Sequence, residues 1–157
     1  MREIHIVWAG RRRRREWETL CADYRRRIER TLPVRDRLVK SAVGGDGQAR
    51  RRAEADELAA ALPEPCWTVA LDPRGRARSS ADLAAWLRRR REEWPHPLAF
   101  LIGSDLGLDE VVLARARERL SLGPMVFGHE LARLVLYEQV YRALAIERGI
   151  KYHREPF

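Results

Sequence analysis

Cysteine and long apolar runs are both scarce in this sequence, and their scarcity excludes several classes of protein. The two cysteines, Cys21 and Cys66, lie far apart and outside any CxxC or Cys/His cluster, which argues against a structural zinc site or a disulfide framework. No stretch approaches the roughly 20 apolar residues of a transmembrane helix, and the apolar run at residues 4–8 is too short for a signal peptide. We therefore expect a soluble cytoplasmic protein with free thiols, no membrane partner and no metal ion.

Lysine is scarce as well, because only 2 of the 31 basic residues are lysines. The formal net charge is nevertheless +8, which favours a polyanionic partner such as RNA or DNA, since neutralising phosphates releases condensed counterions. An arginine bias this strong is also typical of a GC-rich genome. The arginine runs at residues 11–15 and 88–91 fit an RNA-binding surface and a solvated helix surface equally well.

Several catalytic motifs are absent from the sequence. It contains no GxxxxGK[ST] phosphate loop, no GxGxxG after the first strand and no GxSxG nucleophile elbow, which excludes the nucleotide-hydrolysing and lipase-like enzymes that carry them. His129 and Glu130 begin like HExxH, but Arg133 occupies the position of the second histidine. A zinc protease is therefore excluded.

Short apolar runs alternate with longer helical patterns along the 157 residues, which fit a single domain spanning 1–157. This alternation is typical of an α/β protein with a parallel sheet flanked by helices. Ser79 and Asp82 form a predicted capping box, and residues 49–61 have helical composition. The predicted strands are residues 4–8, 34–39, 67–71, 98–102 and 125–127.

The last predicted helix, residues 129–148, has an apolar face and an ion pair at helical spacing. We expect Leu131, Leu134, Val135 and Leu144 to be buried on that face, and Glu138 to pair with Arg142 four residues later. An apolar face on a terminal helix also suits the interface of a twofold dimer.

Two loops near the C-terminus are candidates for a cofactor site. Gly103 and Gly107 follow a buried strand, and residues 122–127 form a second loop with exposed backbone groups that suit the edge of an adenine. A tight turn and an ordinary entry into a strand explain the same residues.

The motifs of the C-terminal third resemble those of the RlmH family, bacterial SPOUT-class methyltransferases that modify N3 of a pseudouridine in 23S rRNA. The resemblance runs nearly end to end, and its most specific parts are the Glu-Gln-x-Tyr-Arg-Ala helix and the Tyr-His-Arg terminus. The matching residues are Leu71–Asp72, Phe100–Gly103, Gly107–Leu108, Leu120–Leu122, His129, Glu138–Ala143 and Tyr152–Glu155.

The resemblance implies a SPOUT-type sheet with a C-terminal trefoil knot, a homodimer and S-adenosylmethionine as cofactor. It implies that the substrate is the 23S rRNA of an assembled ribosome, reached through a composite surface of the dimer. By resemblance, the cofactor lies against Leu71, Gly103, Leu122, Gly123, Pro124, Met125, Val126 and Phe127.

The reaction removes a proton from a weakly acidic imide nitrogen, so it needs a base and a group that stabilises negative charge. We assign the base to His153 or His129 and the stabilising charge to Arg154. We expect the nucleotide and its phosphates to be oriented by Tyr152, Arg133 and Arg142.

Three positions depart from the family pattern. Ser104 replaces a usual glycine, Gly128 replaces a usual proline, and Pro156 and Phe157 extend the usual end. Ser104 and Gly128 alter loop geometry but remove no reacting group. Two other functions remain open: another SPOUT RNA methyltransferase, such as one acting on a ribose 2′-hydroxyl, and a ribosome-binding protein without catalytic activity.

Overall fold

The computed structural model describes residues 1–154 and shows an α/β sandwich around one five-stranded parallel sheet. The strand order is β2-β1-β4-β3-β5. Within the described chain, no helix is both long and apolar enough to cross a membrane. The elements are β1 (Ile4–Gly10), α1 (Arg15–Ile28), β2 (Val34–Lys40), α2 (Gly47–Ala60), β3 (Trp67–Ala77), α3 (Ser80–Glu93), β4 (Leu98–Ile102), α4 (Glu110–Arg115), β5 (Glu118–Ser121) and α5 (His129–Glu147).

The two central strands, β1 and β4, are buried on both faces because helices cover each side of the sheet. Alternate side chains of β1 point to opposite faces, so Ile6 and Trp8 belong to one apolar cluster and Val7 and Ala9 to the other. The first cluster includes residues of α1, α3 and α5, and the second includes residues of α2 and α4. The helices are therefore divided three to two between the faces.

Four of the predicted strands are confirmed, and the fifth is wrong. The segment predicted as a strand at residues 125–127 lies outside the sheet, and the fifth strand is Glu118–Ser121. Met125 and Val126 are 71% and 88% exposed, so their apolar side chains do not mark a buried strand. The strand at Glu118 was not predicted because two of its four residues are charged.

Two predicted side-chain interactions in the helices are confirmed. Ser79 and Asp82 form the predicted capping box at the start of α3, and Glu138 accepts a hydrogen bond of 3.0 Å from Arg142 Nε. The predicted buried face of α5 needs correction, because Leu131 is 37% exposed, whereas Ala132, Leu136, Tyr137 and Val140 are buried. Leu134 and Val135 are only partly buried, and Leu144 is buried as predicted.

The carboxyl ends of the parallel strands lie at one edge of the sheet and place several loops together. β4 ends at Ile102 and leads into the Gly103 turn, while its neighbour β3 passes through Leu71 and Asp72. β5 ends at Ser121, next to β3, and leads into residues 122–128. Loops distant in sequence thus surround one space.

Candidate active site

A pocket opens at this carboxyl edge and contains about 690 Å³ of space, including its open mouth. Ligands of open α/β sheets commonly bind in a crevice at this edge of the sheet. The lining comes from part of β3, from the ends of β4 and β5 with the loops that follow them, and from the start of α5: Leu71, Asp72, Pro73, Ile102, Gly103, Ser104, Asp105, Gly107, Leu108, Leu120, Leu122, Gly123, Met125, Val126, Phe127, His129 and Ala132.

The structure brings together seven of the eight residues that the resemblance assigns to the cofactor. Leu71, Gly103 and five residues of the 122–127 loop line the pocket, and Pro124 lies between two lining residues without lining it itself. Asp72 and Ile102 also line the pocket. The sequence analysis placed both residues in the motifs that match the family but assigned neither of them to the cofactor.

Gly103 is required by close packing of backbone atoms. A Cβ atom at this position would lie 2.5 Å from the carbonyl carbon of Gly107 and 2.7 Å from Leu108 N. These neighbours are backbone atoms and cannot rotate away as a flexible side chain can. The turn closes through Gly107, whose φ of +74° is in the left-handed region and whose N–H donates to Ser104 O at 3.0 Å.

The second loop, residues 122–127, presents an apolar surface held by polar contacts at its start. Ser121 Oγ donates to Gly123 O and accepts from Gly123 N, both at 3.1 Å. Beyond that turn, Met125 and Val126 are exposed at the pocket. Their apolar side chains are available to cover a ligand.

Asp72 places a carboxylate in the pocket lining. Burial alone would raise the pKa of this carboxyl, but hydrogen bonds from Arg74, with the charges of Arg74 and Arg119, hold that pKa below its ordinary value. Arg74 N and Nε donate to Asp72 Oδ1 at 3.0 and 3.2 Å. The carboxylate is therefore ionised at neutral pH and adds negative charge to a largely apolar pocket.

His129 lies at the first residue of α5 and lines the same pocket. Its ring stacks on Trp8, with centroids 6.1 Å apart and planes inclined by 25°. Gly10 leaves room for this arrangement, because a Cβ there would lie 3.3 Å from His129 Nε2 and closer still to Trp8. β1 thus fixes the position of the histidine side chain.

Arg133 was predicted to orient the RNA, and the structure corrects that role. It is 1% exposed, with Nε 2.9 Å from Asp36 Oδ2 and Nη1 2.6 Å from Glu18 Oε1. Its guanidinium also lies 4.3 Å from the centroid of the Trp8 ring. The Arg133 side chain therefore connects α1, β2 and α5 in the interior of the protein, and it is not available at the protein surface.

The C-terminal residues form a separate polar cluster. Tyr152 OH donates to Glu138 Oε1 at 3.0 Å and lies 3.3 Å from Tyr24 OH, while Arg142 Nη1 is 3.5 Å from His153 Nδ1. Burial, with the hydrogen bonds to Tyr24 and Glu138, raises the pKa of Tyr152, so its hydroxyl stays protonated. Tyr152 is therefore a hydrogen-bond donor here and not a base.

Arg154 is exposed beside this cluster. Glu155 and the Pro156–Phe157 extension lie outside the described residues.

The pocket and the C-terminal cluster do not meet within one chain. His129 is at the start of α5, and Arg142 is 13 residues further along the same helix. At 1.5 Å per residue, the two positions are about 20 Å apart along the helix axis. Leu131 and Leu134 lie between them, exposed and partly buried respectively.

The arginine loop after β1 lies close to the pocket. It follows Gly10, whose neighbour in space is His129, and Arg13 anchors it through hydrogen bonds to Asp36 and Glu18. Arg11 and Arg12 are exposed. Over residues 1–154, no three or more histidine, cysteine, aspartate or glutamate side chains are grouped so as to hold a metal ion.

Comparisons with known proteins agree with this fold. The family model described as "Predicted SPOUT methyltransferase" matches residues 2–153. Two solved structures share the fold at low sequence identity. A probable methyltransferase from Bordetella pertussis Tohama I has a TM-score of 0.58 at 14% identity, covering 91% of this chain and 95% of that one. A probable methylase family protein from Haemophilus influenzae Rd KW20 has a TM-score of 0.53 at 13% identity, covering 99% of this chain and 72% of that one.

Relatives in sequence are closer. The ribosomal RNA large subunit methyltransferase H of Solidesulfovibrio magneticus is 39% identical over 153 residues, covering 98% of this chain and 99% of the relative. The protein of the same name from Gluconacetobacter diazotrophicus is 42% identical over 155 residues, covering 96% of this chain and 97% of the relative. With a family model matched over nearly its whole length and relatives aligned end to end, the chain belongs to the ribosomal RNA large subunit methyltransferase H family of SPOUT methyltransferases.

Proposed function

We propose that this protein transfers a methyl group from S-adenosylmethionine to N3 of a pseudouridine in 23S rRNA, acting as a cytoplasmic homodimer on the assembled ribosome. The observation that carries the proposal is the pocket in which seven of the eight expected cofactor residues are assembled from strand β3 and two separate loops. The relatives named as rRNA large subunit methyltransferases support RNA as the substrate.

The residues of the pocket fit S-adenosylmethionine. The closely packed turn at Gly103 leaves backbone groups at the pocket wall, and the 122–127 loop offers apolar side chains and backbone groups to an adenine. The ionised Asp72 carboxylate complements the positive charge of a sulfonium or an ammonium group. When bound, the cofactor supplies an electrophilic methyl group.

The residues of the chain itself position the reacting groups and remove the proton. A pocket that fixes the methyl group in line with the attacking nitrogen and excludes water supplies most of the rate enhancement by positioning. The N3 proton must also be removed and the resulting charge stabilised. His129 lies in the pocket, whereas His153 and Arg154 lie in the C-terminal cluster, so the two candidate bases are at opposite ends of α5 and the stabilising cation is beside His153.

Two copies of the chain would bring these groups together. The separation of about 20 Å along α5 prevents the C-terminal cluster of one chain from reaching its own pocket without rearrangement. A twofold pairing along α5 would cover Leu131 and Leu134 and place the tail of one copy at the pocket of the other. We therefore propose a composite site in which His129 and His153 come from different subunits.

The anchored arginine loop is the part of the basic surface that we assign to RNA. Arg11 and Arg12 are exposed directly after Gly10, which lies close to His129 of the pocket, and Arg13 fixes the loop to the core. Arg142, which pairs with Glu138, is 24% exposed in its side chain and can contact a nucleotide from the C-terminal cluster. Arg133 has no part in this surface because it is buried.

The proposal is tested in two steps. Isothermal titration with S-adenosylmethionine should show one site per chain, and mass-spectrometric mapping of rRNA from cells lacking the protein should show one methyl group restored when it is added back. Equal methylation of naked rRNA and intact ribosomes would contradict the ribosome as substrate. Ribosome binding without any cofactor binding would indicate a protein that has no catalytic activity.

A further inference from the structure

Glu54 is a buried carboxylate outside the pocket, and its burial is not explained by an ion pair. It lies on α2 at 2% exposure, and no arginine or lysine nitrogen of residues 1–154 lies within 4.0 Å of it. Its Oε1 atom accepts no hydrogen bond within that part of the chain. Burying a carboxyl group with so few partners costs stability, and such a departure from ordinary polar pairing is expected at a functional site.

Within residues 1–154, the one hydrogen bond that the Glu54 side chain makes is to the cofactor turn. Ser104 Oγ donates to Glu54 Oε2 at 2.8 Å, and both residues are buried. Ser104 Oγ also accepts a hydrogen bond from Leu106 N at 3.3 Å, while Ser104 O accepts one from Gly107 N. The serine therefore organises the turn internally, and the carboxylate fixes the serine to α2.

Two further contacts show that α2 runs along the whole turn. Positions 47, 50 and 54 recur at helical spacing on one face of α2. Arg50 Nη2 lies 3.9 Å from Asp105 Oδ1, and a Cβ at Gly47 would lie 3.8 Å from Leu106 Cδ2. The three helix positions thus meet residues 106, 105 and 104 in order, and only the contact at Glu54 is a buried hydrogen bond.

We infer that Glu54 is a positioning residue for cofactor binding, which acts by holding Ser104 and with it the Gly103–Gly107 turn that lines the pocket. The inference rests on the proposed function, because it assigns the turn to S-adenosylmethionine. Glu54 does not line the pocket and is not a catalytic residue. Glu54 acts by fixing the backbone conformation of the turn that contacts the cofactor.

The test compares cofactor affinity with folding stability. Ser104→Ala and Glu54→Ala should each raise the Kd for S-adenosylmethionine about tenfold, as expected for loss of a buried hydrogen bond to a charged group. The double variant should bind no more weakly than either single variant, because the two changes break one interaction. Glu54→Gln, which keeps an oxygen acceptor, should stay within about threefold of the wild type.

Leu58→Ala is the matched control, since Leu58 lies one turn further along α2 and is 1% exposed. It should lower the unfolding temperature without changing the Kd of the folded protein by more than about twofold. With intact ribosomes, Glu54→Ala, which changes no residue of the pocket lining, should raise KM for the cofactor while kcat at saturation stays near the wild-type value.

The inference is overturned if Ser104→Ala binds the cofactor as the wild type does, or if Leu58→Ala weakens binding equally. It is also overturned if the effects of Glu54→Ala and Ser104→Ala multiply in the double variant. If Glu54→Ala does not fold, Ser104→Ala and Ser104→Gly give the same comparison. Absence of binding by the wild-type protein would contradict the proposed function itself and remove this inference with it, whereas normal wild-type binding with unaffected variants contradicts the inference alone.

Discussion

The Asp36 carboxylate accepts hydrogen bonds from four side chains inside the molecule. Its oxygens lie 2.9 Å from Trp8 Nε1, 2.9 Å from both Arg13 Nη1 and Arg133 Nε, and 2.7 Å from Tyr137 OH. Burial would raise the pKa of Asp36, but the Arg133 guanidinium and the hydrogen bonds from Tyr137 and Trp8 outweigh it and hold that pKa below its ordinary value. The Asp36 carboxylate is therefore ionised at neutral pH although it is buried.

Replacing Asp36 should destabilise the protein strongly. Asp36→Asn leaves the buried Arg133 cation without its full counter-charge, and we expect the free energy of unfolding in urea at pH 7 to fall by about 3–5 kcal/mol. Asp56→Asn, an exposed change on α2, is the control and should cost less than about 0.5 kcal/mol. A loss below about 1 kcal/mol for Asp36→Asn would contradict the role given to this pair.

Asp36 also makes the free energy of unfolding depend on pH, and that free energy should fall in acid. Because the pKa of Asp36 is lowered on folding, its contribution is fully present above the unfolded value of about 3.9 and is lost as pH falls through the folded value. Wild-type unfolding free energy should therefore decline more steeply below about pH 4 than that of Asp36→Asn. Parallel acid titrations of the two proteins, followed by urea unfolding, measure this difference.

Gly103 allows a second test at the level of one residue. Gly103→Ala places a Cβ 2.5 Å from the backbone of Gly107, which forces the turn open and should reduce S-adenosylmethionine affinity at least tenfold. Gly128→Ala is the matched control, because a Cβ there meets nothing within 4 Å and its φ is −58°. Titration calorimetry on both variants would contradict the argument if they bound equally well.

The sequence predicted individual strands and helices less well than it predicted the fold. The apolar triplet at 125–127 predicts a strand, but the structure uses these side chains to line a pocket, and the actual strand at Glu118 carries charges that its periodicity does not explain. In α5, Arg133 lies among apolar residues, and it was predicted to orient the nucleotide, whereas the structure buries it. Its partner Asp36 is 97 residues away in sequence, a distance over which local pattern carries no information.

The proposed dimer interface lies on the face of α5 that the sequence predicts as buried. Leu131→Arg combined with Leu134→Arg should convert the protein to a monomer, because two charges would enter an apolar contact between copies. Analytical ultracentrifugation measures the change. Val43→Arg, at a position 90% exposed in the connection before α2, should leave the dimer intact, and a dimer that survives the double change would exclude this face as the interface.

For the molecule as a whole, the sequence predicted the architecture well. The parallel α/β sheet, four of its five strands and the capping box of α3 follow from periodicity and capping residues, which act over a few positions. The assembly of the pocket could be predicted only through the family resemblance, since Leu71, Gly103 and Phe127 are brought together by strand order. The trefoil knot stays a prediction.

Because the formal net charge is +8, binding of the protein to the ribosome should weaken as the salt concentration rises. This dependence is a property of the entire surface. If Arg11 and Arg12 each neutralise a phosphate, replacing both with glutamine should reduce the magnitude of the slope of log K against log salt for ribosome binding by roughly 1.4 to 1.8. The control is Arg52→Gln with Arg115→Gln, two exposed arginines of α2 and α4 with the same change in net charge. Equal slopes for both pairs would remove the loop after β1 from the RNA surface.

The distance of about 20 Å along α5 has a consequence for mixtures of inactive proteins. A variant with a blocked pocket, such as Val126→Arg, keeps an intact tail, and His153→Ala with Arg154→Ala keeps an intact pocket. If each site takes its pocket from one subunit and its tail from the other, unfolding and refolding the two together should restore about one quarter of wild-type activity, since half of the dimers would be mixed and each would hold one complete site. A mixture as inactive as its components would show that each subunit works alone.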